Sequence, residues 1–224
     1  EKFKDKAAAM QLADACAGQT AAVKGIEQKE RTEKPPALYD LTTLQRDANR
    51  ILGYTAQQTL DYLQALYEKK FCTYPRTDAR YLTDDMETLV PEFVAVAASI
   101  CETDAPTNIL ATQVCNSKKV SDHHALIPTA SATKAAFLDL PLGERELLRL
   151  VAKQLLCAVS DTHRYSETTV ILSCGGQEFT AKGKTILQTG WKQYSGNDSA
   201  EIPLPELTEG STVPVDAASV KEGK

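Results

Sequence analysis

The sequence lacks a long hydrophobic run, an excess of basic residues and closely spaced cysteines. Its longest almost uncharged apolar stretch is residues 93–101, which is too short for a helix that spans a membrane. Its formal net charge of −5 argues against a protein that coats nucleic acid non-specifically, because phosphate binding needs a basic surface. The net charge still allows a local basic groove.

The six cysteines lie far apart, and no two of them form a Cys-x-x-Cys pair. This spacing argues against a zinc ribbon or a dense disulfide framework and fits the reduced thiols of a cytosolic protein. The Walker A phosphate loop, the GxSxG nucleophile elbow and the HExxH zinc motif are also missing. Position 1 is Glu, and no basic and apolar signal segment follows it, so we expect the central piece of a longer cytoplasmic protein.

Hydrophobic spacing divides the chain into a helical middle and two ends that favour β structure. Residues 5–17 predict a short helix, and residues 19–29 predict a weak strand. The charged run 29–34 and the two prolines after it cannot continue a helix or a central strand, so we expect a domain crossing there. The first helix of the middle part is capped by Asp40 or Thr42 and runs to about 52, and Thr55 caps the second, 56–69. A third segment begins after Thr83, and two further helices are predicted at 91–100 and 144–159. The remaining predicted strands are 167–174, 177–181, 185–187 and 212–215.

Two local patterns support these assignments. Leu63, Leu66 and Tyr67 recur at helical spacing and predict one apolar face, while the two glycines at 175 and 176 predict a hairpin turn. The helix pair between residues 42 and 69 has the length of a helix-turn-helix. We therefore predict an α+β fold in which a helical segment is inserted into a β-rich domain that both termini form.

Positive charge is concentrated around one tyrosine, since Lys69, Lys70, Arg76 and Arg80 lie close to Tyr74 in sequence. A tyrosine hydroxyl ordinarily has a pKa of about 10 and is a poor nucleophile at neutral pH. An arginine two residues away can stabilise the phenolate and bind a phosphate with its fork of donors, and an extended chain puts alternate residues on the same side. The alternative is a buried tyrosine beside a surface salt bridge.

A second segment of interest, residues 121–129, reads Ser-Asp-His-His-Ala-Leu-Ile-Pro-Thr. Its adjacent histidines suggest a metal site, but neighbours on an extended chain face opposite ways and no third ligand lies at a useful spacing. A histidine that donates to a phosphate and a structural histidine before a proline turn are both compatible with this pattern.

Taken together, these segments resemble one family. Residues 73–78, Thr-Tyr-Pro-Arg-Thr-Asp, followed by Tyr-Leu, resemble the active-site tyrosine motif of type IA DNA topoisomerases, particularly the topoisomerase III branch. Residues 122–129 resemble the histidine motif of that branch. The similarity covers essentially all 224 residues in family order and also includes residues 38–45, 48–49, 66–68, 179–183 and 190–191.

This resemblance implies that Tyr74 attacks a phosphodiester in single-stranded DNA and becomes linked to the 5′ phosphate. Strand passage and resealing would then need no ATP, because the transesterification conserves the free energy of the bond. Arg76 would position the scissile phosphate and stabilise its developing charge. The residues that would bind DNA are Lys69, Lys70, Arg76, Thr77, Asp78, Arg80 and His123.

The resemblance also implies the domain arrangement and the partners. Residues 36–160 would form the helical domain that carries the tyrosine, and residues 1–35 and 161–224 would form a β-rich arch that hinges open. Mg²⁺ would be bound by a Toprim domain outside this chain, so no metal is expected here and the chain alone would be inactive. Its partners would be single-stranded DNA and the remaining domains of the same polypeptide, in the bacterial cytosol or nucleoid and without a membrane.

Two other functions compete with this one. A non-catalytic DNA-binding module could read a duplex with the helix pair, but residues 56–69 carry Asp61 and Glu68 and are basic only at their end. A protein-interaction arch would leave Tyr74 without a role.

Overall fold

The computed structural model describes residues 5–196 and 200–221, and within them the chain forms seven α-helices and four strands. The α+β class is thus the one predicted. The chain divides into two compact units. A β-rich unit combines the described residues up to 32, residues 164–187 and the described residues from 200, and a helical unit combines the others.

The β-rich unit consists of one helix and a four-stranded sheet. Asp5 caps the helix by accepting a hydrogen bond from the amide of Ala7 at 2.9 Å. The sheet has the order β3-β2-β1-β4, and β1 and β4 are antiparallel with Thr20 opposite Pro214. These elements are α1 (Lys6–Cys16), β1 (Thr20–Glu33), β2 (His163–Cys174), β3 (Gln177–Gln188) and β4 (Thr212–Pro214).

The predicted turn between β2 and β3 is confirmed. Gly175 and Gly176 both have positive φ, 58° and 76°, which a two-residue hairpin turn requires and which glycine adopts most easily. A Cβ at Gly175 would also lie 2.9 Å from the Sγ of Cys16, so the close approach of α1 leaves no room for a side chain.

The prediction that the charged run cannot belong to a central strand was wrong, because β1 continues to Glu33. The charges are tolerated since they are exposed and meet opposite charges on the neighbouring strand β2. Arg31 pairs with Glu167 at 3.3 Å, and Arg164 pairs with Glu30. The two strands predicted at 177–181 and 185–187 are likewise one continuous strand, β3.

The helical unit is built from capped helices of moderate length. Thr55 forms a capping box, which confirms the predicted start of the second helix, and Asp40, one of the two candidate caps, forms the capping box of the first. Pro141 precedes the longest helix, which begins at Leu142, two residues earlier than predicted. The helices are α2 (Leu41–Leu52), α3 (Ala56–Glu68), α4 (Val90–Cys101), α5 (Lys134–Leu138), α6 (Leu142–Ala158) and α7 (Lys192–Ser195), with a 3-10 turn at Asp84–Leu89 before α4.

The core of the helical unit lies around α6. Leu147, Val151 and Leu155 have no exposed surface, and α6 packs against α3 on one side and α4 on the other. Leu63 and Leu66 of α3 are fully buried in the same cluster. The end of α3, from which the tyrosine motif follows, is therefore anchored in the best-packed part of the molecule.

Residues 188–196 belong to the helical unit, whereas the expected boundary at 160 assigns them to the β-rich part. Two aromatic side chains account for this placement. The indole of Trp191 donates to the carbonyl of Glu33 at 3.0 Å, and the buried Tyr194 donates to the carbonyl of Asp104 at 3.1 Å. Among the described residues, no helix is both long enough and apolar enough to cross a membrane.

Candidate active site

The tyrosine segment, residues 71–78, leaves the end of α3 through a tight backbone turn. The amide of Lys70 donates to the carbonyl of Tyr67 and the amide of Phe71 donates to that of Leu66, both at 2.8 Å. These two bonds form a Schellman motif, in which the residue after the C-cap is left-handed. That residue is Lys70, with φ of 62°. The turn fixes the direction in which the tyrosine segment departs from the helix.

The tyrosine segment pairs with the histidine segment, residues 121–129. The amide of Thr73 donates to the carbonyl of Ile127 at 3.2 Å, and the hydroxyl of Thr73 accepts from the amide of Ile127 at 3.1 Å. The amide of Thr129 donates to the carbonyl of Phe71 at 3.1 Å. The two motifs singled out in the sequence are therefore hydrogen-bonded neighbours.

Tyr74 is half-buried between two aromatic rings. Its ring centroid lies 4.2 Å from that of His123, with 39° between the planes, and 5.3 Å from that of Tyr67 in an edge-to-face contact at 83°. Such contacts hold a ring in one orientation while its edge stays accessible. His123 is exposed and Tyr67 is 40% exposed, so this aromatic row lies at the surface.

Thr77 positions the backbone of His123. Its hydroxyl donates to the carbonyl of His123 at 2.8 Å and accepts from the amide of Ala79 at 3.1 Å. The carbonyl of Thr77 also accepts from the amide of Leu41 at 3.1 Å. Because Thr77 is only 8% exposed, these bonds form away from competing water.

Arg76 is exposed and contacts the same helix as Tyr74. Its Nη1 donates to Oε1 of Gln64 on α3 at 3.2 Å, and Gln64 lies one turn before Tyr67. Both side chains contact α3, but the chain bends at residues 75 and 76, so the same-side placement expected of an extended chain stays a prediction. The guanidinium has five N–H donors, and the bond to Gln64 uses one of them.

An open groove of about 520 Å³ is lined by Arg76, Thr77, Asp78 and His123 together with Asp122 and the start of α2. Tyr74 is not among the lining residues, and its link to the groove is the contact of its ring with that of His123. The hydroxyl of Ser121 donates to Oδ1 of Asp78 at 3.2 Å. The groove presents one guanidinium and one imidazole among several carboxylates. This mixture suits a single phosphate at Arg76 better than a row of phosphates, because carboxylates repel the phosphate backbone.

Two of the predicted DNA-binding residues have other contacts. The ammonium of Lys69 forms an ion pair with the mostly buried Glu144 at 2.5 Å, which joins the end of α3 to the start of α6. The guanidinium of Arg80 donates to the carbonyls of Leu38 at 2.9 Å and Ala37 at 3.4 Å. The structure thus brings together Tyr74, Arg76, Thr77, Asp78 and His123, and it uses Lys69 and Arg80 to hold the surrounding backbone.

Sequence reasoning missed the role of Tyr67, which it assigned to the apolar face of α3. The structure leaves this ring partly exposed and in contact with Tyr74. The spacing of seven residues carried no signal for this contact, because the chain reverses direction at Lys70 between the two tyrosines.

A backbone hydrogen bond from the buried Tyr39 holds the histidine segment at Leu126. The carbonyl of Tyr39 accepts from the amide of Leu126 at 2.9 Å, and the hydroxyl of Tyr39 donates to Oδ2 of Asp47 at 2.7 Å. Burial, followed by the bond to Asp47, raises the pKa of Tyr39 well above its usual range. Burial acts to raise the pKa of Asp47 too, but hydrogen bonds from Arg50 and Tyr39 outweigh it and lower that pKa.

The described residues do not fit a metal ion. Within them, no three His, Cys, Asp or Glu side chains lie close enough to hold one. The Nδ1 of His124, a candidate ligand by sequence, lies 2.9 Å from the carbonyl oxygen of Ala125.

Comparison with known proteins relates the whole chain to one family. A family model described as DNA topoisomerase matches residues 1–224. The chain is 38% identical over 231 residues to DNA topoisomerase 3 of Bacillus licheniformis, covering 96% of this chain and 31% of the relative. It is 37% identical over 225 residues to DNA topoisomerase 3 of Bacillus subtilis, covering 92% and 30%. The chain spans about a third of the length of these curated relatives.

The fold is similar to that of a solved structure, full-length topoisomerase I from Thermotoga maritima. The TM-score is 0.71 at 22% sequence identity, and the match covers 96% of this chain and 36% of the other. At this identity the solved structure supports a shared fold only, whereas the family model and the relatives are matches of sequence. Both extend over nearly the entire chain, and the chain belongs to the DNA topoisomerase family.

Proposed function

We propose that this chain is the strand-cleaving and resealing part of a type IA DNA topoisomerase, with Tyr74 as the nucleophile. The observation that carries the proposal is the position of the Tyr74 ring, which packs against His123 beside a groove that Arg76 lines. A phenol whose ring contacts an imidazole, with an arginine that keeps free donors two residues away, supports attack on a phosphodiester, because a cation can hold the phosphate and stabilise its developing charge.

In the proposed cleavage, the oxygen of Tyr74 attacks the phosphorus of one phosphodiester in single-stranded DNA. A bond forms from the tyrosine oxygen to the 5′ phosphate, and the bond from phosphorus to the 3′ oxygen breaks. The phenol gives up its proton to solvent and the leaving 3′ oxygen takes up one proton, so the net number of protons does not change. Resealing is the reverse reaction. No ATP is consumed, because one phosphoester bond replaces another and its free energy is kept for the return step.

The neighbouring side chains have distinct proposed roles. Arg76 binds the scissile phosphate with the donors that its bond to Gln64 leaves available and stabilises the charge that develops there. His123 contacts the DNA backbone and, through its ring contact, keeps Tyr74 in place. Thr77 acts through His123, whose carbonyl it binds, and is a positioning residue.

Other parts of the enzyme complete the proposal. The helical part with Tyr74 is an insertion in a β-rich arch that opens for strand passage. The leaving 3′ oxygen needs a proton donor or a cation. On the resemblance to type IA topoisomerases, we assign Mg²⁺ to a Toprim domain outside this chain. The partners are single-stranded DNA and the remaining domains of the same polypeptide in the cytoplasm.

Trapping of the covalent intermediate tests the nucleophile. The chain, joined to the remaining domains, is mixed with single-stranded DNA that is radiolabelled at its 3′ end, denatured, and separated on a gel. Wild-type protein should carry the label, and Tyr74→Phe should carry none while keeping the same unfolding midpoint. Tyr165→Phe, which removes a hydroxyl in the β-rich unit, is the matched control and should label like wild type.

The outcomes separate the candidate functions. Label on the Tyr74→Phe protein would contradict the assignment of the nucleophile. DNA binding by the wild type without any covalent label would instead support the non-catalytic DNA-binding module. A second assay adds the chain alone to negatively supercoiled plasmid with Mg²⁺, and relaxation there would place the whole chemistry within these 224 residues.

A further inference from the structure

Lys70 adopts a backbone conformation that normally belongs to glycine. Its φ of 62° lies in the left-handed region, and it occupies the position after the C-cap in the Schellman motif that ends α3. A residue with a Cβ is destabilised there, because the Cβ approaches the following carbonyl oxygen. Residues held in such conformations cluster at functional sites, which makes Lys70 a candidate for a function that a glycine would not provide.

The end of α4 supplies an internal comparison. The amide of Glu102 donates to Ser99 at 3.4 Å and that of Thr103 to Ala98 at 3.1 Å, which is the same motif. Glu102 has φ of 55°, and among the described residues it and Lys70 are the two non-glycine residues with positive φ. The carboxylate of Glu102 has a partner within the protein, since it pairs with Lys134 at 3.3 Å.

The charged group of Lys70 differs from those of Glu102 and Lys69, which both form ion pairs within the protein. Within residues 5–196 and 200–221 it forms no ion pair, whereas the adjacent Lys69 is paired with Glu144. Lys70 is exposed, so its ammonium is available to a ligand. The sequence alone treated the two lysines alike, and the structure separates them into a structural cation and an available one.

The backbone of Lys70 ties it to the site on both sides. Its amide donates to the carbonyl of Tyr67, whose ring contacts Tyr74, and its carbonyl accepts from the hydroxyl of Thr129 in the histidine segment. The position of its Cα is therefore fixed relative to the nucleophile, although the residue lies outside the tyrosine segment itself. A fixed stem lowers the entropy lost when the ammonium binds.

We propose that Lys70 binds a backbone phosphate of the single-stranded DNA adjacent to the phosphate that Tyr74 attacks. The inference rests on the proposed function, since it takes the cleaved strand as the ligand. An ammonium is a compact charge that suits a phosphate approached from a variable direction. Arg76, with its planar fork, is reserved for the scissile phosphate, and Lys70 holds the strand beside it.

The test compares wild type, Lys70→Gly, Lys70→Arg and Glu102→Gly in the full 224-residue chain. Thermal unfolding and the binding of a fluorescent single-stranded thymidine oligonucleotide are measured, the latter over a series of salt concentrations. Both glycine variants should raise the unfolding midpoint by about 1–3 °C, because glycine relieves the left-handed strain at some entropic cost. Only Lys70→Gly should weaken binding, by about three- to ten-fold at low salt.

The salt dependence identifies the contact as one with phosphate. Lys70→Gly should reduce the slope of log affinity against log salt by about 0.7, the value for one phosphate contact on a single strand. Lys70→Arg should restore both the affinity and the slope. Equal affinity and slope for wild type and Lys70→Gly would overturn the inference while leaving the proposed function standing. If wild type binds no oligonucleotide, the assignment of a strand-binding site to this chain fails, and the inference fails with it.

Discussion

The two units of the chain differ sharply in how much core they contain. Among the described residues of the helical unit, thirty buried hydrophobic side chains form one cluster around α6. In the β-rich unit, the cluster among the described residues consists of Cys16, Ala21 and Cys174 with a few partly buried neighbours. Most residues of β1 and β3 are exposed or half-exposed, and their charges form surface ion pairs.

This difference explains where the candidate site lies. Reaction geometry has to be held within fractions of an ångström, and that requires side chains fixed by dense packing. Tyr74, Arg76 and His123 all belong to the helical unit, beside the buried end of α3. A unit with few buried contacts opens locally at a lower free energy, which is compatible with the opening proposed for the arch.

Core truncations should show the difference most strongly. Leu155→Ala in α6 removes a side chain with no exposed surface and should lower the free energy of unfolding by about 2–5 kcal/mol. Leu172→Ala in β2 removes a half-buried side chain and should lower it by about 1 kcal/mol. Urea unfolding of both variants measures the two values, and equal losses would remove the distinction between the units.

Arg76→Lys should slow cleavage even though it keeps the positive charge. A planar fork holds a phosphate with two bonds and an ammonium acts as a point charge, so about 1–3 kcal/mol of transition-state stabilisation should be lost. Single-turnover cleavage at saturating DNA measures the loss in the enzyme that contains the remaining domains. A rate equal to that of wild type would exclude Arg76 from the chemistry.

Thr77→Val should weaken the hydrogen bonds that position the backbone of His123. The substitution leaves the carbonyl of His123 and the amide of Ala79 without a buried partner, and each loss is worth about 1 kcal/mol. We expect a lower unfolding midpoint together with slower covalent labelling. Thr77→Ser keeps the hydroxyl and serves as the matched control, so a serine variant as impaired as the valine variant would contradict the role of these bonds.

Acid should destabilise the helical unit through Asp47. The pKa of Asp47 is lower in the folded protein than in the unfolded chain, so its contribution is present above the unfolded value of about 4. It is lost as the pH falls through the lower folded value. Since Asp47 is about a third exposed, the effect should stay below about 1 kcal/mol. Denaturant titrations below pH 5 should show a shallower pH dependence for Asp47→Asn than for wild type.

The surface ion pairs of the β-rich unit should matter least. Arg164→Ala removes the pair with Glu30, whose two side chains are 45% and 50% exposed, and should change the free energy of unfolding by at most about 0.5 kcal/mol. The change should vanish at high salt, because salt screens exposed charges. A larger, salt-independent loss would mean that these pairs, and not only the strand hydrogen bonds, hold the sheet together.

Local structure was largely predictable because its causes lie within a few residues. The capping boxes at Asp40 and Thr55 and the two-glycine turn at 175 and 176 depend on backbone groups of their own segments. The ends of β1 were predicted less well, since the charges at its end are acceptable only beside the opposite charges of β2. In such a strand, the contacts with neighbouring strands outweigh the intrinsic strand propensity of the residues.

The sequence by itself determined the longer helices with the cap at Thr55, the hairpin turn and the motif that contains Tyr74 and Arg76, but it did not predict the short helices α5 and α7. The tertiary structure decided that the tyrosine segment pairs with the histidine segment some fifty residues away, that Tyr67 contacts Tyr74, and that Lys69 is paired while Lys70 is available. The physical reason is one of range. Caps and turns satisfy backbone donors close by in the chain, whereas these contacts depend on how the helices pack around one core.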